Sequence, residues 1–233
     1  KNTEKKLFES LNEAIPQVDA IIISDYRKGT LTELILRQAI ENAKKHNIPV
    51  FIDPKGSKYN NYIGADYIKP NRNELEILTN VQCGDMESIS RAAGLLSEQT
   101  GANILVTLSQ EGMILFKRDG SKFTLPTQAK EVFDVSGAGD TAIASFAFAL
   151  SHGETAETAV RFANISSGIA VSKVGTAAVS LQEILSVAGQ LFAHDISRMN
   201  EQVDLNHAAK IREDWKRQGL KVGFTNGCFD LLH

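Results

Sequence analysis

The sequence predicts an α/β domain with a largely parallel sheet and helices on both of its faces. Two observations carry this. Short β-branched apolar runs alternate with longer segments whose apolar residues recur at helical spacing. The strand runs are near-continuously apolar rather than alternating, as expected for strands covered on both sides. Composition agrees: 233 residues, 42% hydrophobic and 23% charged, suffice for one or two domains with a real core and exclude global disorder.

In chain order, Val18–Ser24 (VDAIIIS) reads as a strand buried on both faces. Thr32–His46 has helical spacing, with Leu34, Ile35, Ile40 and Ala43 available to one face. Ile48–Asp53 is a second strand, its Pro49 suited to the strand start. Ala65–Lys69 is a third, stopped by Pro70. Asn73–Leu78 and Met86–Gln99 read as helices, and Asn103–Leu108 as a fourth buried strand. Gly112–Lys117 and Ser121–Leu125 form an antiparallel pair around Arg118-Asp119-Gly120. Gly139–His152, Ala156–Lys173 and Leu181–Leu191 are further helices. The apolar pattern then fades over 192–208, which reads as a linker, before a charged helix over Ala208–Gln218 and a new strand at Lys221–Thr225. The domains expected are therefore 1–191, a linker and charged helix over 192–219, and the opening of another domain at 220–233. The chain starts at Lys1 and stops inside what reads as a motif, so a piece of a longer protein is expected.

Charge and cysteine content bound the function. Twenty-five Lys and Arg against 28 Asp and Glu give a net charge of −3, with no basic excess to draw nucleic acid or an anionic membrane surface. Two cysteines, Cys83 and Cys228, are too few for a disulfide framework or a structural zinc site, and a reducing, cytoplasmic setting is expected. No apolar run has transmembrane length.

The strongest chemical feature is Asp134-Val135-Ser136-Gly137-Ala138-Gly139-Asp140-Thr141, directly before an apolar helix. Gly137 and Gly139 permit a sharp turn that presents backbone N–H groups toward one point. A helix start adds unpaired donors and a positive dipole end. Such a place suits a phosphoryl group in transfer, and Asp140 there can take a proton from an attacking hydroxyl. The plain alternative, of equal weight on these residues alone, is an ordinary helix N-cap. There is no GxxxxGK[ST] loop and no GxGxxG after a strand, which disfavours a P-loop NTPase or a dinucleotide-binding dehydrogenase.

DVSGAGDT resembles the C-terminal signature of the ribokinase-like (PfkB) family of sugar kinases, and other segments agree in order and spacing. Asn71 and Glu74 match the family's NxxE motif; by themselves they also fit a capping box. Thr107, Ser109 and Gly112 match its TxGxxG strand end, with Ser109 in place of the first glycine. Asn164 and Gly175 fall where the family lines and closes the adenine pocket. The resemblance implies that Asp140 is the catalytic base and that N–H groups of Gly137, Ala138 and Gly139 form an anion hole. It implies ATP and Mg2+ as cofactors, the ion organised by Asn71 and Glu74, often through water, and a monovalent cation near Asp134.

Two loops after predicted strands sit where an open α/β sheet binds ligands. In Asp53-Pro54-Lys55 the lysine meets either a phosphate or, by default, solvent. Ser24-Asp25-Tyr26-Arg27-Lys28-Gly29 resembles heptose kinases within the family; Arg27 and Lys28 either reach a sugar phosphate or form a solvated turn. The tail FTNGCFDLLH resembles the start of a cytidylyltransferase-like nucleotidyltransferase, where His233 would match the first nucleotide-binding histidine. Together these resemble the bifunctional heptose 7-phosphate kinase and heptose 1-phosphate adenylyltransferases. The expected substrate is a small sugar phosphate, the expected product a precursor of ADP-heptose for lipopolysaccharide, and the expected assembly a homodimer when full length. Another PfkB sugar kinase, or an inactive nucleotide-binding fragment, remains as the alternative.

Overall fold

A computed structural model describes residues 2–56, 58–127, 134–176, 178–189 and 205–217. The chain divides into two compact units, Lys1–Val187 and Ala188–His233.

The first unit is built on a six-stranded sheet in sequential order, β1 (Ile21–Ser24), β2 (Val50–Asp53), β3 (Tyr67–Ile68), β4 (Asn103–Thr107), β5 (Met113–Phe116) and β6 (Lys122–Leu125). The first four strands are parallel, and β5 and β6 are added antiparallel. Between the parallel strands lie α2 (Glu33–Lys45), then α3 (Arg72–Thr79) and α4 (Met86–Thr100). Because the strand order always advances in one direction, right-handed crossovers put these helices on the same face. After β6 the chain forms α5 (Ala138–Ser151) and α6 (Ala156–Val171), which cover the opposite face.

Side-chain alternation divides the core accordingly. Ile52, Ile104, Val106 and Ile114 pack with α2, α3 and α4, among them Leu36, Leu75 and Leu96. Phe51, Leu105, Met113 and Leu115 point the other way, onto Ile143, Phe146 and Val160 of α5 and α6. Phe146 meets Phe51 and Tyr67 edge-on at 5.9 and 5.0 Å, pinning α5 across the parallel strands.

Helix starts follow their caps. Thr32 accepts from the Ile35 N–H and opens α2 one residue inside the expected span. Asn71 and Glu74 form a reciprocal capping box at α3, and Asp85 and Ser88 another at α4.

Two expectations are corrected. Val18–Ser24 is not a strand buried on both faces: the strand is Ile21–Ser24, with Ile22 and Val18 exposed. Among the described residues β1 pairs only with β2, and the α5 cover reaches Ala20 but leaves Ile22 open. Ahead of the first expected strand, where the sequence predicts no element, the chain forms a helix, α1 (Asn2–Ala14). Its Leu11 packs on the core, and Glu4 and Asn12 bond to Thr32 and Asn42 at 2.6 and 2.7 Å.

Residues 181–189 are helical, within the expected Leu181–Leu191. In the second unit the charged helix spans Leu205–Arg217, so it starts inside the stretch read as a linker. The strand expected at Lys221–Thr225, and His233, lie outside the described residues. No helix among the described residues is long and apolar enough to cross a membrane.

Candidate active site

Parallel strands deliver their C-terminal ends to one edge of a sheet, and loops there converge. Here β1 leads into Asp25 and Tyr26, β2 ends at Asp53, β3 leads into Lys69, and β4 ends at Thr107. The register sets Ser24 beside Asp53 and Ile52 beside Ile68, so Asp53 and Lys69 are neighbours across β2 and β3. An isolated bridge ties Asn71 to Thr107. The start of α5 closes over this edge, leaving a cleft of about 500 Å³, a size suited to a small-molecule site.

Gly137 caps α5 in the left-handed region (φ 78°), where a residue with a Cβ is strained. Thr141 N–H closes the first intrahelical bond, to Gly137 O at 2.8 Å. Ala138 N–H is taken by Val135 O at 3.3 Å. Among the described residues no backbone acceptor reaches the N–H groups of Gly139 and Asp140, so these two donors remain at the helix end. Asp140 stands exposed in the first turn, and the phenol of Tyr26 donates toward both its carboxylate oxygens, at 3.2 and 3.3 Å. The negative charge of Asp140 is the leading reason that the Tyr26 phenol is held above its ordinary pKa.

The loop that brings Tyr26 there is braced from below. Asp25 is buried and accepts from the Tyr62 hydroxyl at 2.8 Å and from the Arg27 N–H at 3.0 Å. Burial first, and then the Asp25 hydrogen bond, push the Tyr62 phenol well up. Arg27 and Lys28 are exposed and line a different groove, beside β1 and α2.

A network of charged side chains forms the cleft floor. Lys69 and Asp53 are buried, at 3% and 1% exposure, with Nζ 2.9 Å from Asp53 Oδ1. That approach is off the direction a hydrogen bond needs, and Oδ1 has no hydrogen bond among the described residues. Lys55 reaches Glu74 Oε1 at 2.6 Å and lies 3.9 Å from Asp53 Oδ2. Desolvation opposes the charge on Lys55, but the Glu74 hydrogen bond and the charges of Asp53, Glu74 and Asp140 win, and its pKa is raised. Glu74 Oε2 accepts the Asn71 N–H at 2.8 Å.

Of the residues singled out in the sequence, Asn71, Thr107, Ser109, Gly112, Asn164, Gly137, Ala138, Gly139 and Asp140 line this cleft. Ser109, standing where the family motif has glycine, is left-handed at φ 53°. Asn164 is buried and donates to Pro126 O at 2.8 Å, tying α6 to the end of β6. Glu74 does not line the cleft and meets it through Lys55. Asp134 and Gly175 also lie off it. The Asp134 carboxylate accepts the Ser136 N–H at 2.8 Å, and this bond, with help from the Gly175 N–H, lowers its pKa. Sequence reasoning gave no role to Tyr26, Asp53 or Lys69. The available signal was position: each ends or directly follows a parallel strand.

The match to known proteins decides the family: the model of the pfkB family of carbohydrate kinases fits residues 1–184. The chain belongs to that family. Among curated relatives, the bifunctional protein HldE of Pelobacter propionicus is 43% identical over 216 residues, 92% of this chain and 44% of that protein. HldE of Geobacter sulfurreducens is 43% identical over 233 residues, all of this chain and 47% of the relative. The chain thus spans about half the length of the curated relatives it matches. Among solved structures, Arabidopsis thaliana ribokinase complexed with ribose and ATP superposes with a TM-score of 0.69 at 25% identity, over 75% of this chain and 57% of that one. Escherichia coli phosphofructokinase-2 in complex with potassium gives 0.69 at 21% identity, over 79% and 62%, a likeness of fold. The pfkB chain described here is ribokinase-like in fold, as the sequence predicts.

Proposed function

We propose that this chain carries the nucleotide-binding and phosphoryl-transfer portion of a kinase that moves the γ-phosphoryl group of ATP to the anomeric hydroxyl of D-glycero-D-manno-heptose 7-phosphate. The observation that carries the reading is the position of Asp140. Its carboxylate stands at the open N-terminus of α5, in the same cleft as Lys69 and the strand-end residues Asn71 and Thr107. A carboxylate accepting the phenol O–H of Tyr26 is equally able to accept the O–H of a sugar. In the step, the acceptor oxygen forms a bond to phosphorus, the bond from phosphorus to the bridging oxygen of ADP breaks, and the hydroxyl proton passes to Asp140. The N–H groups of Gly139 and Asp140 and the dipole of α5 oppose the charge spread over the transferred oxygens.

The donors present fit a magnesium ion that arrives with the nucleotide. Glu74 and Asn71 offer only oxygen, each Glu74 oxygen already has one partner, and no three-residue acidic cage exists among the described residues. Mg2+ bound through water and phosphates needs no more. Asn71 and Glu74 would hold it, and it would neutralise charge between the phosphates. Asp134, braced by Ser136 and near Gly175, is where the resemblance puts a monovalent cation. The heptose assignment rests on the HldE relatives, as does a link to an adenylyltransferase in the longer protein.

The test is ATP consumption by the full-length protein with heptose 7-phosphate, ribose, fructose 6-phosphate and adenosine as separate acceptors. Turnover confined to heptose 7-phosphate, with phosphate appearing at the anomeric carbon, supports the proposal. Turnover on another acceptor keeps the chemistry and removes the heptose assignment.

A further inference from the structure

We propose that Lys69 is a catalytic residue of this site, its ammonium group meeting the oxygens of the phosphoryl group in transit. The inference rests on the kinase reading and adds a group that reading does not require. A buried ammonium is costly unless its donors are satisfied. Lys69 is 3% exposed, carries three N–H donors, and among the described residues has one ionic partner, Asp53. Even that contact is misdirected for a hydrogen bond. The ammonium group faces the cleft rather than the core: a Cβ placed on Gly139 would stand 3.3 Å from Nζ. The missing side chain at Gly139 therefore keeps open the gap between Lys69 and the start of α5. On one side of that gap is a cation, and on the other are the N–H groups of Gly139 and Asp140, which no backbone acceptor reaches among the described residues. Asp140 supplies the proton acceptor at its edge.

A small tetrahedral or planar oxyanion satisfies each of these donors at once. Lys55 is the weaker candidate, because it is already bonded to Glu74 and is far more open to solvent. In the transfer step Lys69 neither gains nor loses a proton. It offsets negative charge on the oxygens while the proton goes from the acceptor to Asp140. Asp53 orients Lys69, so Asp53 is a positioning residue.

Lys69→Met alone would leave the buried Asp53 carboxylate with only the more distant Lys55, at 3.9 Å, as a counter-charge. The informative variant is Asp53→Asn/Lys69→Met, which removes both charges. Gly139→Ala is the second arm: it leaves the ion pair intact and fills the gap with a methyl group. Full-length protein is titrated with ADP, with and without aluminium fluoride, a mimic of the phosphoryl group in transit. Turnover on heptose 7-phosphate is measured alongside. The expected wild-type result is ADP binding at least tenfold tighter with the fluoride. Both variants should lose that gain while binding ADP alone within threefold of wild type, and kcat should fall by at least 100-fold. Variants that keep both the fluoride gain and a kcat within threefold of wild type would reduce Lys69 to a counter-ion for Asp53. Wild-type protein with the fluoride gain but no turnover would defeat the proposed substrate, and the loss of the gain in the variants would still support Lys69.

Discussion

Gly112 couples the sheet to the cleft, and replacing it with alanine has a cost that follows from two distances. The residue sits at φ 96°, ψ −137°, a region that only glycine occupies comfortably. An added Cβ would lie 2.1 Å from Leu125 O and 2.7 Å from both Pro126 C and Thr127 N. All three are backbone atoms, so no side-chain rotation relieves the contact. Leu125 is in register with Met113 in the β5–β6 ladder, and the chain must open there to make room. Backbone strain of this kind costs about 1–3 kcal/mol. Forcing a methyl group into a packed site adds about 1–3 kcal/mol. Gly112→Ala should therefore destabilise the protein by about 4 kcal/mol, the middle of that summed range. Gly120 is the control. It also has a positive φ, 82°, but nothing lies within 4 Å of its added Cβ, so Gly120→Ala should cost only about 1–2 kcal/mol. Urea denaturation of the full-length protein reads the difference as a shift in midpoint at unchanged slope. Equal losses in the two variants would refute the argument from backbone contact.

Three further outcomes follow from the charged groups. Asp53→Ala leaves Lys69 buried without a counter-ion and should lower stability by about 3–5 kcal/mol in the same assay, whereas a loss below about 1 kcal/mol would mean that water reaches the ammonium. The Tyr26 phenol should titrate above its ordinary value of 10.0 in an ultraviolet pH titration, taken as wild type minus Tyr26→Phe; Asp140→Asn should bring it down, because the leading cause is gone, and no change would contradict the Tyr26–Asp140 contact. Glu183, bonded to Lys173 and Ser180, has its pKa lowered to about 2, so its contribution is present above the ordinary 4.5 and is lost as pH falls toward 2. Protection of the amides in residues 178–189, taken as hydrogen exchange relative to the intrinsic rate at each pH, should fall over that window, and Glu183→Gln should abolish that fall.

The parallel core was legible because its strands are short, β-branched and punctuated. Val50–Asp53 and Asn103–Thr107 fall within the runs read from sequence, and Thr32, Asn71 and Asp85 cap helices where Ser/Thr/Asp/Asn chemistry places them. Helix α1 was not legible, since its charged residues outnumber its apolar ones and only Leu11 and its neighbours dock. The β1 strand was misread because apolar content reports what a strand is able to bury, not what covers it; Ile22 is 41% exposed. In the site, the glycine turn before α5 announced itself through spacing. Lys69 and Asp53 did not, because a lysine reads as solvent-exposed until the register of β2 and β3 sets it beside a buried carboxylate. Tyr26 was overlooked for its charged neighbours Arg27 and Lys28, which the turn directs away from the cleft.

The proposed transfer depends on Asp140 accepting the proton of the attacking hydroxyl at the mouth of α5. Asp140→Asn keeps the side chain's shape and removes the base. Steady-state turnover of ATP with heptose 7-phosphate, measured beside the equilibrium affinity for ATP, tests it directly in the full-length protein. In the variant kcat should fall by about 10²–10⁴-fold while ATP affinity stays within a few-fold of wild type. An Asp140→Asn variant that turns over at near wild-type rate would contradict it.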